Sequence, residues 1–170
     1  LTIPLLAIII GLASMFWAPP HEALIWLGTL LICRFLMMRY IREFERTPKH
    51  DIDIIAWRKT LTSIEALYGL CWAGVALVGI EPTEPTAHVF VFAALIVVLT
   101  IRLLFASTVM PIVYAGTIPI SIALVIRFVA LGEPFYWAMA LMTVGIHVYF
   151  IFLAKGLNAT VLAMLSFRAE

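Results

Sequence analysis

The chain has 170 residues, 64% of them hydrophobic and 12% charged, with a formal net charge of +1. A soluble domain is about 45–50% apolar and about 25% charged, and a chain near this length buries only about 70% of the surface it exposes unfolded, so a soluble globule, and with it a soluble enzyme, is excluded. High hydrophobicity at low net charge also excludes disorder, and nothing here gives the basic footprint that nucleic acid requires; the first partner of such a chain is the lipid bilayer.

Six apolar runs follow in chain order, at about 1–18, 22–39, 60–80, 87–106, 109–131 and 135–155. A bilayer core of ~30 Å takes about 20 apolar residues per helix. The runs are continuous rather than alternating, which excludes a β-barrel. The expected fold is all-α, a six-transmembrane-helix bundle. The first run, Leu1 to Ala18, has no basic flank and no small-x-small cleavage site before Pro19–Pro20, so it reads as a short span and not as a signal peptide. The chain starts at Leu1 rather than Met and stops at Glu170 in a polar helix, and both ends read as cut from something longer.

Between the second and third spans lies the one sizeable polar segment, 40–59. Arg42-Glu43-Phe44-Glu45-Arg46 continues the second helix until Pro48 stops it. Asp51 is the expected N-cap of the third helix, which would run along the interface through Ile52, Ile55 and Trp57 before entering the bilayer. Arg34 and Arg39 at the end of the second span and Arg42, Arg46, Lys49, Arg58 and Lys59 in this segment cluster on one side, and Lys155 and Arg168 follow the last span. The opposite turns, around Pro19–Pro20, Glu81–Thr86 and Gly132–Pro134, carry Glu22, Glu81, Glu84 and Glu133 and no Lys or Arg. The positive-inside rule then places both termini and the 40–59 loop in the cytoplasm, with Phe16, Trp17, Phe135, Tyr136 and Trp137 at the outer interface and Trp57 at the inner one. Outer loops of a few residues leave no extracytoplasmic binding domain. A cue must be lipid-soluble, enter a cavity between helices, or be a property of the membrane itself.

Within the third span Ala66, Gly69, Ala73 and Ala76 form a stripe of small residues suited to close helix packing. Packing inside the bundle is the favoured use and a dimer face the sharper alternative. Trp72 fills a core. Glu65, about one turn into this span, and Arg102, about one turn before the end of the fourth, lie at similar depth, so an ion pair between them is geometrically natural. A structural clamp is its favoured role, and a switchable latch the second. Arg127, near the outer end of the fifth span, reads as snorkelling to the interface. His147, near the middle of the sixth, reads as hydrogen-bonded to a neighbouring helix, since no ligand stands at i+3 or i+4. Pro111 and Pro119 each remove a backbone hydrogen bond from the fifth span and kink it. Cys33 and Cys71 do not form a Cys-x-x-Cys pair and read as thiols packed as small hydrophobes.

No catalytic motif, metal cluster, cofactor site or convincing internal repeat is visible. Beyond Lys155, Leu157, Val161 and Met164 approximate a heptad, so 156–170 reads as the start of a cytoplasmic signalling helix following a transmembrane domain at 1–155.

The Trp57-Arg58 start of the third span, its Gly69-Leu70-Cys71-Trp72-Ala73-Gly74 centre, the Ala106-Ser107 junction with Pro111 and Pro119 beyond it, and the ending Leu165-Ser166-Phe167-Arg168-Ala169-Glu170 carry a resemblance. Over most of its length the chain resembles the six-helix N-terminal membrane domain of bacterial sensor histidine kinases, hybrid kinases and some diguanylate cyclases. The resemblance implies an inner-membrane sensory input domain, a homodimer formed through the exit helix, and a kinase or cyclase site beyond Glu170. It supplies no ligand residues. On the residues, Glu65 and Arg102 form a candidate intramembrane switch, and Gly69, Trp72, Gly74, Pro111, Pro119 and His147 a candidate cavity or packing set for a lipophilic ligand. A different class stays open: a small transporter or channel in which Glu65, Arg102 and His147 line a polar path. A third is an assembly subunit docking a partner through 40–59.

Overall fold

A computed structural model of the chain describes residues 2–48, 53–78, 85–106 and 108–169. Lys49, Asp51, Ile52, Glu81, Glu84 and Ser107, and the side chain of Arg168, lie outside the described residues. Among the described residues the chain forms six α-helices: α1 (Thr2–Ser14), α2 (Pro20–Arg46), α3 (Ile54–Ala73), α4 (Pro85–Ala106), α5 (Met110–Leu131) and α6 (Pro134–Ala169). Five of them, α2 to α6, are long and apolar enough to cross a membrane. The protein is therefore a multi-pass membrane protein. With 13 residues and a rise of ~1.5 Å each, α1 is only about 20 Å long, so it stops short of the expected 1–18 span. Ser14 closes it by donating from Oγ to the Gly11 carbonyl.

The helix ends follow local chemistry. Pro20 starts α2 where an N–H would have no partner, and α2 runs past the bilayer run to Arg46, ending at Thr47 before Pro48. The N-cap of α3 is Asp53, not Asp51: its Oδ1 accepts from the backbone N–H of Ile55 at 3.0 Å and Ala56 at 3.2 Å. At the other end α3 tightens into a 3₁₀ turn, Gly74–Leu77. The change of pitch falls where the Trp26 indole donates to the Cys71 carbonyl at 2.8 Å. Pro111 sits in the first turn of α5, where the missing N–H costs no helical bond; the expected kink there does not arise, and Pro119 alone interrupts the helix interior. Gly132 ends α5 with φ 74°, in the left-handed region that favours glycine.

Helix α5 is the hub, packing against α3, α4 and α6, while α2 joins α1 to α3. The core along it holds Leu30, Trp72, Leu95, Leu99, Ile120, Leu124 and Phe128, all fully buried. The opposite faces carry large exposed apolar side chains, among them Phe35, Leu141 and Phe152. Without a hydrophobic drive between helices in lipid, close packing must come from small residues. The stripe on α3 supplies it inside the bundle: a Cβ on Gly69 would lie 2.8 Å from the Gly116 carbonyl oxygen and 3.2 Å from that of Ala115. Ala115 is four residues before Pro119, so its carbonyl lacks the helical donor, and it faces the bare backbone of Gly69 instead.

Candidate functional site

Two polar centres lie at opposite ends of the bundle. The first joins α2, α3 and α4 over α5. Arg102 Nη2 donates to Glu65 Oε2, the contact that their similar depth in the sequence made geometrically natural. The Glu65 side chain keeps 20% of its exposure and that of Arg102 only 6%. The pair bridges α3 and α4. Both pack on α5, and the Arg102 guanidinium lies over Gly116, where any Cβ would overlap it. The same guanidinium stands 5.0 Å from the centre of the Tyr68 ring, and that of Arg34, on α2, stands 5.9 Å from it. Tyr68 thus carries a cation at each of two approaches.

These four residues line a cavity of about 600 Å³ whose other walls are mostly apolar. Trp57 packs on Tyr40 at 4.6 Å and, at 4.8 Å, on Phe44, which lines the cavity, and so ties the start of α3 to α2. Among the described residues, buried Tyr68 Oη and Arg102 Nε have no hydrogen-bond partner.

The second centre corrects the sequence expectation for Arg127. It does not snorkel. It is 93% buried, retaining 7% of its exposure, and turns inward. Its Nη1 donates to the Ala76 carbonyl and, at 3.3 Å, to that of Val78, while Nε and Nη2 approach His88 Nδ1 at 3.2 Å and 3.0 Å. Ala76 and Val78 close the 3₁₀ turn at the end of α3, where carbonyls have no helical donors left. Arg127 satisfies them and so ties α5 to α3 and α4. His88, packed edge-on against Tyr136 at 5.2 Å, was not legible as part of this centre, because a single His in an apolar run carries no spacing signal.

The remaining candidates scatter. His147 Nδ1 and Ser121 Oγ are 2.8 Å apart, a hydrogen bond between α6 and α5, and His147 is not among the residues lining the cavity of Glu65 and Arg102. Trp72 is fully buried, with Trp26 edge-on at 5.8 Å. Gly74 makes room for the Trp26 indole. Cys33 and Cys71 lie side by side, Sγ to Sγ 2.9 Å, across the α2–α3 seam, an encounter that their separation in sequence did not announce. Among the described residues no cluster of His, Cys, Asp or Glu could hold a metal ion. No family model, no curated protein and no solved structure matches this chain.

Proposed function

We propose that the chain is the membrane-embedded input domain of a bacterial signal-transduction protein, a sensor histidine kinase or a diguanylate cyclase, whose output domain follows α6. The observation that carries this reading is the length of α6. Its 36 residues reach about 54 Å against a hydrocarbon core of ~30 Å, so a rigid rod continues well past the bilayer, with Leu162, Met164, Leu165 and Phe167 exposed on it. An isolated rod with exposed apolar side chains gains by pairing with a second copy, which supports a homodimer through the exit helix. The one-sided basic residues support an inner membrane orientation with both termini cytoplasmic.

In this reading the Glu65–Arg102 pair is the latch. A lipophilic cue in the adjoining cavity changes the partner of Arg102, the packing of α3 and α4 on α5 shifts between two arrangements, and α6 carries the shift outward. Glu65→Gln and Arg102→Met, each introduced into the full-length protein, should alter basal output at normal membrane levels. Unchanged output in both defeats the latch. Alkaline phosphatase and green fluorescent protein fused to each end give the topology, and ends on opposite faces of the membrane would remove the relay.

A further inference from the structure

The cavity beside the latch is charged in a way that selects its occupant. Two guanidiniums, half-buried Arg34 and buried Arg102, line it together with the carboxylate of Glu65. That carboxylate is already engaged by Arg102, and among the described residues Arg34 has neither a hydrogen bond nor an ion pair; its described neighbour is the Tyr68 ring. The other acid of the lining, Glu45, is exposed. Tyr68, 2% exposed, and Arg102, 7% exposed, each hold a buried polar atom with no described partner, Oη and Nε. Arginine has no acceptor, so Arg34 and Arg102 offer only donors, and the Tyr68 hydroxyl has a hydrogen of its own to give. Donors left unmet in a buried site destabilise it, so the site is built for an acceptor that the described residues do not provide.

The walls decide the rest of the molecule. Met37, Ile41, Phe105 and Val113 line the same space, and they offer nothing to the hydroxyls of a sugar or the edges of a base. A volume of about 600 Å³ is in the range of small-molecule pockets, roughly 300–1,000 Å³, and suits one alkyl chain.

We infer that this cavity binds a single-chain anionic amphiphile, its carboxylate or phosphate head held between Arg34, Arg102 and Tyr68 and its tail along the apolar wall. The bound anion competes with Glu65 for Arg102, which makes it the cue that opens the latch. This consequence rests on the sensory reading; the binding itself does not.

The test uses the chain reconstituted in phosphatidylcholine nanodiscs, with myristate, myristyl alcohol and myristyl phosphate as probes and binding followed by native mass spectrometry and by titration calorimetry. Myristate and myristyl phosphate should saturate a single site, with the alcohol at least about tenfold weaker, and Arg34→Met should weaken the anions by about tenfold or more while leaving the alcohol unchanged. Arg34→Lys, which keeps the charge and loses the planar fork, should fall between the two and guards against loss of fold in Arg34→Met. Equal binding of acid and alcohol, or anion binding indifferent to both Arg34 variants, overturns the assignment. Replacing the nanodisc lipid with phosphatidylglycerol separates the sources: competition assigns the site to a bilayer lipid head, and its absence to a free acid. Binding as stated, with full-length output indifferent to myristate, removes the sensory reading and keeps the site.

Discussion

Asn158 Nδ2 donates to the Thr108 carbonyl oxygen at 2.9 Å, and this bond joins the C-terminal half of α6 to the turn before α5. Thr108 also lines the cavity of Glu65 and Arg102, so the wall of that cavity and α6 share a bond. An exposed hydrogen bond contributes only about 0.5–1.5 kcal/mol. Asn158→Ala should therefore leave thermal stability nearly unchanged and loosen the helix. Spin labels at exposed Leu104 and Leu162 give the measurement: the distance distribution should broaden in Asn158→Ala. An unaltered distribution would mean that packing alone sets the position of α6.

Gly69 and Gly116 meet different obstacles, and their alanine variants should differ accordingly. At Gly69 the added Cβ meets backbone, 2.8 Å from the Gly116 oxygen, and neither helix can yield without separating. Gly69→Ala should destabilise by about 1–3 kcal/mol, read as a lower unfolding midpoint in detergent. At Gly116 the obstacle is the Arg102 guanidinium, the far end of a flexible side chain. Gly116→Ala should cost less in stability and displace Arg102 from Glu65. A double-mutant cycle with Glu65→Gln tests this: removing Glu65 should cost less in the Gly116→Ala background than in the parent. Full additivity would show the pair intact.

Arg127 separates an inward structural role from an interfacial one. Its replacement by Met strands the Ala76 and Val78 carbonyls and His88 Nδ1 in the bundle. Buried groups left without partners cost about 1–3 kcal/mol each, so the variant should lose at least that much stability in detergent. Arg127→Lys should recover only part, because a single ammonium nitrogen cannot reach acceptors that the guanidinium meets from three separate nitrogens. A loss below about 0.5 kcal/mol in Arg127→Met, the level of an ordinary surface change, would return Arg127 to the interface.

What the sequence made legible was whatever depends on composition and span length. The apolar runs foretold α2 to α6, Pro48 marked the stop of α2, and the similar depths of Glu65 and Arg102 made their pair geometrically natural. What stayed illegible depends on which way a side chain turns. Arg127 stands near a span end, where the cheap expectation is the interface; only the unfilled carbonyls after Gly74, on another helix, draw it inward. The Asp53 cap was missed because Asp51 is an equally good acceptor two residues earlier, and local sequence does not choose between them. The cavity needed Arg34, Tyr68 and Arg102 from three helices at once, and no spacing along the chain encodes that.

Cys33 and Cys71 give the most direct test of the α2–α3 seam. Their sulfurs are 2.9 Å apart, and a disulfide needs about 2.05 Å, so under about 1 Å of approach separates the two thiols from a bond. Copper phenanthroline in air should remove two electrons and two protons from the pair, passing them to dioxygen, and close an intramolecular disulfide between α2 and α3. Two maleimide-reactive thiols per denatured chain should fall to none and return on reduction with dithiothreitol, while Cys33→Ser should keep its single thiol free of any intramolecular bond. Because the bond locks helices that flank the cavity, the oxidised chain should also resist thermal unfolding in detergent more than the reduced one. Persistence of both thiols under oxidation, or cross-linking only between chains, would show that α2 and α3 do not meet at these residues.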